Sequence, residues 1–317
     1  MTPSFWLPSA SLEQLRARAA LYQTLRNFFA QRNVLEIDVP VLAKATVTDP
    51  HIDSIVARCG DDDVFLQTSP EFFMKRLLCA GSGPIFSLGK AFRNGEVGRK
   101  HNPEFTMLEW YRPGFDDHQL MDEVEALIQQ VMPITSVERL SYRDIFQRVL
   151  SIDPHSASLE TLRALAKQHV ELDWDDDNRD TWLDILMTHV IEPQLGEGLV
   201  FIYDYPASQC ALARIEKDRR GQKVAKRFEA YVKGIELANG YWELTDVQEQ
   251  AERFKQDQLR RQELNLPNNP SDGLLLDALA NGMPDAAGVA LGVDRLLMLQ
   301  QGVDSLEQVL AFPFSRV

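Results

Sequence analysis

The sequence is poor in cysteine, in basic residues and in long apolar runs. Its cysteines, Cys59, Cys79 and Cys210, are widely spaced and odd in number, which suggests neither a disulfide framework nor a zinc site. No apolar run approaches the roughly 20 residues that span a bilayer. The N-terminus also lacks the basic-then-apolar order of a secretory signal. These absences predict a cytoplasmic protein without a membrane partner.

Two common nucleotide motifs are missing as well. The sequence contains no Gly-x-Gly-x-x-Gly and no Gly-x-x-x-x-Gly-Lys-Ser/Thr, so neither a Rossmann site nor a P-loop is supported. Acidic residues outnumber basic ones 47 to 33, and the formal net charge of -14 argues against a general affinity for nucleic acid. The apolar content of 44% and the charged content of 25% are those of an ordinary globular protein.

The most informative stretch is FRNGEVGRKHNPEFTMLEWY, residues 92–111. An apolar run ends at Arg93, a polar loop follows, and alternate residues of the next run then share one face: Phe105, Met107, Glu109 and Tyr111. In a hairpin of this kind, a guanidinium and an aromatic ring lie close together. The guanidinium can bind phosphate, and the ring can stack on a base. Taken alone, the same pattern also suits a sheet edge with a salt bridge.

Hydrophobic periodicity and capping signals predict the remaining elements. Helices are predicted over 12–32 with Ser11 as N-cap, 70–81 with Ser69 as N-cap, 118–132, most of 141–192, 247–264, 274–279 and 295–301. Strands are predicted over 34–42 up to a break at Pro40, 64–68, 85–88, 91–93, 199–203, 228–232, 235–241 and 288–294.

Three charged features each have two interpretations. Glu71, in the first turn of its helix, either complements the helix dipole or contacts a ligand. The acidic run 171–180 is predicted to be a solvated loop rather than a metal site. The basic stretch 214–227, RIEKDRRGQKVAKR, is either a solvated surface loop or a docking surface for an acidic partner.

Three separated segments each offer an element for binding a nucleotide. They are Arg93 with its loop, Glu229 with Glu236, and Gly292 with Arg295. Two arginines on a polyphosphate, with two carboxylates that hold Mg²⁺, suit the attack of a carboxylate on the α-phosphate of ATP. This chemistry depends on positioning and charge neutralisation, so it needs no protein nucleophile.

The chain resembles the class II aminoacyl-tRNA synthetases, and within them the catalytic core of lysyl-tRNA synthetase. The helix and strand ending at Pro40 resemble the first class motif, FRNGEVGRKHNPEFTMLEWY the second and GVALGVDR the third, while TSPEFFMKRL and RFEAYVKGIELANGYWELTD match lysyl-type segments. The resemblance covers residues 11–313. It implies an α+β fold with an antiparallel β-sheet flanked by helices, a homodimer, and a single catalytic domain over residues 1–317 without the N-terminal anticodon-binding domain.

The same resemblance implies ATP and Mg²⁺ as cofactors and assigns the site residues. Arg93 and Arg295 would be catalytic and hold ATP phosphates, and Glu229 and Glu236 would bind Mg²⁺. Further ATP contacts are implied for Asn94, Gly95, Glu96, His101, Asn102, Phe105 (stacked on adenine), Glu236, Leu237 and Gly292. The amino-acid pocket would consist of Ser69, Pro70, Glu71, Glu109, Tyr111, Asn239, Glu243 and Ala290. Within it, Tyr111 and Glu243 would receive a distal ammonium, which makes lysine or a relative the substrate.

Three departures from lysyl-tRNA synthetase refine this expectation. The first class motif begins almost at the N-terminus, so we expect no anticodon-binding domain, which disfavours tRNA as the acceptor. Ala290 stands where that family has glycine, and a methyl-sized change of roughly 1–3 kcal/mol disfavours α-lysine and suits β-lysine. The class motif Phe-Arg-x-Glu has Gly95 in place of its glutamate, with Glu96 one position later. Either this loss weakens activity, by roughly 1.5–3 kcal/mol, or the loop shifts and Glu96 substitutes, which is the interpretation we favour.

With the string HNPEFTMLEWYRP, these features resemble truncated lysyl-tRNA synthetase paralogues that join (R)-β-lysine to a lysine of elongation factor P. The expected function is an ATP-dependent ligase with elongation factor P as its protein substrate and with residues 214–227 as a docking element. Two alternatives stay open. One is a minimal lysyl-tRNA synthetase-like enzyme that charges an RNA acceptor, and the other is a non-catalytic regulator that binds lysine or ATP.

Overall fold

The computed structural model describes residues 6–317 of the chain. These residues form two compact units: unit 1 is residues 6–115, Ala126–Met132 and Thr245–Val317, and unit 2 is Asp116–Glu125 and Pro133–Leu244. The start of the N-terminus, where no secretory signal is predicted, lies outside the described residues. The single catalytic domain stays a prediction.

Helices and strands alternate irregularly along the chain. The helices are α1 (Leu12–Ala30), α2 (Glu71–Cys79), α3 (Asp117–Val131), α4 (Tyr142–Leu150), α5 (Leu159–His169), α6 (Arg179–Leu186), α7 (Val247–Glu263), α8 (Gly273–Ala280) and α9 (Val293–Gln300). The strands are β1 (Leu35–Glu36), β2 (Leu42–Ala43), β3 (Val56–Cys59), β4 (Asp62–Leu66), β5 (Ile85–Phe92), β6 (Glu104–Pro113), β7 (Val137–Ser141), β8 (Leu199–Pro206), β9 (Ile215–Lys217), β10 (Lys223–Val232), β11 (Ile235–Trp242) and β12 (Ala286–Gly292). No helix within residues 6–317 is long and apolar enough to cross a membrane.

The main sheet of unit 1 is built around the predicted hairpin. Its strand order is β1-β5-β6-β12. β5 and β6 pair antiparallel from Ile85 opposite Tyr111 to Phe92 opposite Glu104, and β12 pairs antiparallel with the other edge of β6. β1 pairs parallel with β5. The hairpin prediction is therefore confirmed, and β6 has a neighbouring strand on both sides.

Helix α1 covers one face of this sheet. It begins after Ser11, whose side chain accepts a hydrogen bond from the backbone of Gln14, as the sequence predicts. Phe29 stacks on Phe86 with ring centroids 4.5 Å apart and meets the edge of Trp110 at 5.3 Å. These three rings are at most 2% exposed. Because side chains alternate along a strand, the opposite face of the sheet is left for the polar residues of β6.

Unit 2 combines a sheet with a helical layer. The strands lie in the order β11-β10-β8-β7, with β9 also paired to β10. Buried residues of β8, β10, α4 and α6 share one core, among them Tyr142, Phe146, Trp182, Leu186, Tyr205 and Tyr231. The predicted helical content of residues 141–192 is confirmed. In both units antiparallel pairing dominates, which confirms the predicted α+β class.

Several predicted boundaries are wrong. The strand predicted over 34–42 is two short strands, since Leu35–Glu36 pairs in β1, Leu42 pairs in β2, and the unpaired residues between them include Pro40. Residues 85–92 form one strand instead of two, since Gly89 and Lys90 pair with β6 without a break. Helix α2 has Pro70 rather than Ser69 as its N-cap, with no side-chain capping bond.

Neither charged run is a simple solvated loop. The basic stretch 214–227 contains β9 and the start of β10, joined by a tight turn, so the predicted loop is wrong. Ile215 lies opposite Ala225 in this pairing, and Val224 and Ala225 are fully buried. The acidic run does contain a loop, as predicted, but Asp175 and Asp177 form ion pairs with Arg163.

Candidate active site

The face of the unit 1 sheet opposite α1 forms a floor in which mostly small side chains flank the larger ones of β6. β6 contributes the predicted set of Phe105, Met107, Glu109 and Tyr111. Except for Ile85, which lies opposite Tyr111, their partners on the two flanking strands are small: Ser87, Gly89 and Ala91 of β5 and Gly288, Ala290 and Gly292 of β12. Small residues on both sides of β6 let a ligand approach the backbone closely. The sequence predicted this property only for β12.

Arg93 directly follows β5 at the edge of this floor. Its guanidinium carbon lies 5.3 Å from the centroid of the Phe105 ring, and its Nη1 lies 3.6 Å from Oε1 of Glu96. Gly95 has a φ of 76°, in the left-handed region, and the chain turns there so that Glu96 faces Arg93. The Nε of Arg93 is buried and has no hydrogen-bond acceptor within residues 6–317. Such a nitrogen fits a ligand that brings an acceptor, for example a phosphate oxygen of ATP.

Arg295 borders the other end of the same loop. It lies in the first turn of α9, where its Nε donates to the Lys100 carbonyl at 3.2 Å and its Nη2 lies 2.7 Å from Nε2 of His101. Burial, followed by the charge of Arg295, lowers the pKa of His101 below its usual 6.5. The neutral ring therefore accepts the bond from Arg295. The structure thus brings both predicted catalytic arginines, Arg93 and Arg295, to one loop.

Asn94 and Asn102 hold this loop in shape. The backbone N–H of Asn94 donates to the Asp53 carbonyl at 2.9 Å, and its Nδ2 donates to Asp53 Oδ2 at 2.7 Å. The side chain of Asn102 donates to the Glu104 carbonyl at 2.6 Å and accepts from the backbone N–H of Phe314 at 2.9 Å. Both amides are used within the protein, so their expected nucleotide contacts stay a prediction.

Glu109, Tyr111 and Ala290 lie together on the floor. Tyr111 Oη donates to Glu109 Oε1 at 2.7 Å, and both residues are only 2% exposed. Ala290 lies directly opposite Glu109 in the register of β12 and β6. Paired residues of antiparallel strands have Cβ atoms about 4.5–5.5 Å apart. The Ala290 methyl therefore takes up space beside the Glu109 carboxylate that a glycine would leave open.

Ser69, Pro70 and Glu71 lie at the start of α2, which contacts β6. Glu71 Oε1 lies 2.7 Å from Nζ of Lys75, a lysine that is only 1% exposed. A buried ammonium needs a carboxylate partner, so Glu71 does more than complement the helix dipole. Sequence reasoning missed Lys75, although its i,i+4 spacing places it beside Glu71.

In unit 2, Glu229 of β10 is held by three donors. Oε1 accepts from Arg227 Nη2 at 2.5 Å, while Oε2 accepts from Tyr205 Oη at 2.7 Å and from Tyr231 Oη. Burial, followed by the charge of Glu229, raises the pKa of both tyrosines well above 10, so both remain donors. A carboxylate has about four acceptor positions, which leaves one for a ligand.

A β-bulge places Glu236 on the same face as Glu229. The register of β10 and β11 shifts at Leu237, which has no partner in β10. One extra residue moves the side chains that follow it to the other face of a strand. Glu236 therefore shares a face with Asn239, which lies opposite Glu229. Without the bulge, Glu236 and Asn239 would lie on opposite faces of the sheet, because they are three positions apart.

The other two predicted residues of unit 2 are also well ordered by their surroundings. Asn239 Oδ1 accepts from Arg227 Nε at 3.2 Å, and its Nδ2 donates to Tyr241 Oη at 3.1 Å. Glu243 follows β11 and is 0% exposed. A fully buried carboxylate is the group that a buried substrate ammonium requires, in keeping with the role expected for Glu243.

The carboxylates of Glu229 and Glu236 fit a Mg²⁺ ion that arrives with ATP. Mg²⁺ is usually bound by one or two carboxylates together with substrate phosphates and water. Within residues 6–317, no group of three or more His, Cys, Asp or Glu side chains could hold a metal ion. The described residues therefore suit an ion shared with a nucleotide rather than one enclosed by the protein.

Sequence reasoning also missed the three donors to Glu229. Arg227 and Tyr231 are two residues away on the same strand, so the period of two was the signal that could have identified them. Tyr205 lies on β8, and only the pairing of β8 with β10 brings it to Glu229. No local pattern in the sequence indicates that pairing.

Comparison with known proteins identifies the family of the chain. A model of the family "tRNA synthetases class II (D, K and N)" matches residues 7–316. The chain belongs to this family, which confirms the resemblance based on the three class motifs. Relatives from Salmonella paratyphi B, Salmonella heidelberg and Salmonella enteritidis PT4 are each described as "Elongation factor P--(R)-beta-lysine ligase". Each is 51% identical to the chain over 320 residues, covering 98% of this chain and 98% of the relative, so the predicted similarity to these ligases is also confirmed.

Proposed function

We propose that this protein is an ATP-dependent ligase that activates (R)-β-lysine as an adenylate and transfers it to the ε-amine of a lysine on elongation factor P. The observation that carries the proposal is the floor of the unit 1 sheet. It has a methyl group at Ala290 beside the Glu109 carboxylate, and Arg93 and Arg295 border its loop. The 51% identity to ligases of that description supports the same reaction.

The first step of the proposed reaction forms a mixed anhydride. A carboxylate oxygen of lysine attacks the α-phosphorus of ATP, the bond to the bridging oxygen breaks, and pyrophosphate leaves. Arg93 and Arg295 neutralise the charge that develops on the phosphate oxygens, which accounts for the buried Nε of Arg93. Mg²⁺, held by Glu229 and Glu236, would add positive charge on the same phosphates.

The second step forms the amide. The ε-amine of the acceptor lysine attacks the carbonyl carbon of the adenylate, AMP leaves, and the nitrogen loses a proton. The chain's own residues contribute mainly by holding the reacting groups, because the adenylate already carries a good leaving group. Within unit 1, the residues proposed to contact the amino acid are Ser69, Pro70, Glu71, Glu109, Tyr111 and Ala290. The roles of Asn239 and Glu243 stay those that the resemblance to lysyl-tRNA synthetase implies.

The proposal includes a docking surface for elongation factor P on the basic hairpin, residues 214–227. Four cations of this hairpin are exposed: Lys217, Arg219, Arg220 and Lys223. Lys217 lies directly opposite Lys223 in the pairing of β9 with β10. Like charges opposite each other are unfavourable in isolation, so an anionic partner would relieve this repulsion.

The tip of the basic hairpin is held in place rather than loose. Asp218 accepts hydrogen bonds from the backbone N–H groups of Arg220 and Gln222, which closes the turn. Its carboxylate also lies 2.7 Å from Nη1 of Arg143 on α4, and both side chains are at most 13% exposed. Because the tip is already fixed, its backbone loses little conformational entropy when a partner binds.

The proposal also covers the acceptor, the cellular location and the oligomeric state of the enzyme. Elongation factor P is preferred over tRNA as the acceptor, in keeping with the net charge of -14. A cytoplasmic location follows from substrates that include ATP and a translation factor. A homodimer is supported by exposed apolar side chains at and near the short strands of unit 1: Leu35, Val41, Leu42 and Val56.

The direct test of the activation step is exchange of pyrophosphate into ATP, measured once with α-lysine and once with (R)-β-lysine. The proposal predicts exchange with both and a higher kcat/KM with β-lysine. Charging of total tRNA with α-lysine would favour the minimal synthetase instead. A complete lack of exchange with either amino acid would leave a non-catalytic regulator as the better description.

A further inference from the structure

Residues 46–54 of unit 1 form an irregular segment in the connection from β2 to β3, and we call this segment the strap. It contains no helix or strand, yet Thr46, Thr48 and Ser54 are at most 5% exposed. Buried backbone outside regular structure must find hydrogen-bond partners elsewhere. Here the partners come from α7 and from the segment that follows it.

Arg261 of α7 is the principal partner of the strap. Its side chain is only 1% exposed, with Nε donating to the Pro267 carbonyl at 2.8 Å and Nη1 donating to the Asp49 carbonyl at 2.9 Å. Its Nη2 lies 3.9 Å from Asp53 Oδ1. Burying a guanidinium against main-chain carbonyls carries a large desolvation cost, and an apolar residue would often be as stable there. A role in fixing the position of the strap accounts for the arginine.

Two other side chains pin the strap at neighbouring points. Asp257, one turn before Arg261 on α7, accepts from Thr48 Oγ1 at 2.7 Å. Asn269 donates from Nδ2 to the Val47 carbonyl at 2.8 Å. The strap is therefore fixed along most of its length to α7 and to the segment after it.

The strap in turn holds the loop that carries Arg93. Asp53, near its end, accepts two bonds from Asn94, one at its carbonyl and one at Oδ2. On the other side, the backbone N–H of Arg93 donates to the Pro103 carbonyl at 2.9 Å. The peptide groups on both sides of the Arg93 side chain are thus fixed, and one of them is fixed by Asp53.

We propose that Arg261 and Asp53 are positioning residues for adenylate formation. Arg261 fixes the strap, Asp53 at its end fixes Asn94, and Asn94 fixes the direction in which Arg93 presents its guanidinium to ATP. The inference rests on the proposed function in one respect, namely that Arg93 binds the phosphates of ATP. Replacing either residue should therefore raise the KM for ATP and leave the KM for lysine unchanged.

The first test is Asp53→Ala in lysine-dependent ATP–pyrophosphate exchange. Loss of a bond to a charged acceptor predicts a KM for ATP that is about tenfold higher, while the KM for lysine stays within about twofold. Asp53 has a half-exposed side chain, so the variant should fold normally. Asp63→Ala is the matched control, because Asp63 is an exposed carboxylate on β4 that pairs only loosely with Arg58, at 3.4 Å. It should leave both KM values unchanged.

The second test is the coupling between the two residues. Arg261→Met should also raise the KM for ATP, and adding Asp53→Ala to it should raise the value no more than about twofold further, because both act on Arg93 through Asn94. Arg261→Lys, which keeps the charge, should recover part of the loss and replaces Arg261→Met if that variant does not fold. An unchanged KM for ATP in folded Asp53→Ala, or effects that multiply fully in the double variant, would overturn the proposal.

The outcome is distinguishable from a failure of the proposed function. If the wild-type protein shows no exchange with α- or β-lysine, the proposed ligase activity fails. The positioning proposal is then decided by calorimetric binding of ATP to the wild-type, Asp53→Ala and Asp63→Ala proteins. A lower ATP affinity in Asp53→Ala alone supports it, and equal affinities in all three reject it.

Discussion

Ala290 is the residue at which one methyl group has the clearest chemical consequence. It lies opposite the buried Glu109, whose carboxylate accepts from Tyr111. A substrate amine that approaches Glu109 meets this methyl, so the position of the amine along the substrate chain matters. Discrimination by one methyl is worth about 1–3 kcal/mol, which corresponds to roughly 10–200-fold.

Ala290→Gly should therefore improve the use of α-lysine. We expect the ratio of kcat/KM for α-lysine over β-lysine in ATP–pyrophosphate exchange to rise at least about tenfold. Ala287→Gly is the matched control, because Ala287 is a buried residue on the opposite face of the same strand. That variant has the same added backbone freedom and should leave the ratio unchanged. An unaltered ratio in Ala290→Gly would show that the methyl does not select the substrate.

His101 is the residue through which pH should act on the ATP loop. Burial and the charge of Arg295 lower the pKa of His101 below 6.5, and the neutral ring accepts from Arg295. Between that lowered value and 6.5, an unfolded chain binds a proton that the folded chain does not. The contribution of His101 to stability is therefore complete above pH 6.5 and decreases as the pH falls below it.

The same reasoning predicts a pH dependence of ATP use. As the pH falls through the lowered pKa of His101, protonation of its ring should break the bond with Arg295 and raise the KM for ATP. In His101→Gln the amide oxygen can accept this bond at every pH, so the rise should be smaller. Titration of ATP itself affects both proteins equally. Identical pH profiles of the KM for ATP would contradict a role for His101.

At the scale of elements, the loop between β5 and β6 adapts to an unusual sequence. Gly95 occupies the position where the class motif has glutamate, and its φ of 76° is readily accessible to glycine. The turn at Gly95 brings the Glu96 carboxylate within 3.6 Å of Arg93. This geometry agrees with the favoured interpretation that Glu96 substitutes for the missing glutamate, which stays a prediction.

Glu96→Gln should weaken ATP use without abolishing it. The pair with Arg93 is partly exposed and not closely aligned, so its loss should raise the KM for ATP by about three- to tenfold. Glu104→Gln is the matched control at the base of the same hairpin, since Glu104 pairs with Lys90 on the surface. Exchange kinetics at several ATP concentrations decide the question. Equal KM values for Glu96→Gln and the wild-type protein would mean that Glu96 does not replace the family's glutamate.

Elements whose pattern is local were predictable from the sequence. The hairpin 85–113 follows from alternation on both sides of a glycine-bearing loop, and the turn at Lys233 and Gly234 follows from two short strands around it. The face of Glu236 was not derivable in the same way, because a β-bulge at Leu237 reverses the alternation. The spacing of residues alone carries no mark of that bulge.

Contacts between distant segments were less predictable. The strap has no hydrophobic period, and its partner Arg261 lies more than 200 positions away in the chain. The basic stretch was interpreted by its charge alone, although it contains the apolar residues Ile215, Val224 and Ala225, which the structure places on paired strands. Charged residues indicate which surface faces solvent or a partner, but the apolar residues between them decide the backbone conformation.

At the scale of the whole molecule, the uneven distribution of charge is the main feature. The chain carries a formal net charge of -14, yet the hairpin of β9 and β10 exposes four cations. A basic patch on an acidic protein can accelerate the encounter with an acidic partner and orient it. Nucleic acid, in contrast, would meet repulsion from most of the surface.

Reversal of Arg219 and Arg220 to Glu should separate the two half-reactions. We expect transfer of the amino acid to elongation factor P to slow by at least about tenfold at low salt, with less difference at high salt. ATP–pyrophosphate exchange should not change. Lys255→Glu with Arg58→Glu is the matched control, because it reverses two exposed charges elsewhere. Equal loss of exchange and transfer in the hairpin variant would reject the docking surface.

The central claim is that the activated amino acid is transferred to a protein. The most direct measurement is the intact mass of elongation factor P after incubation with this protein, ATP, Mg²⁺ and (R)-β-lysine. The account predicts the addition of one β-lysyl group, only when all components are present, and a fragment spectrum that places it on a lysine side chain. Unmodified elongation factor P in a reaction that consumes ATP and charges tRNA would contradict the account.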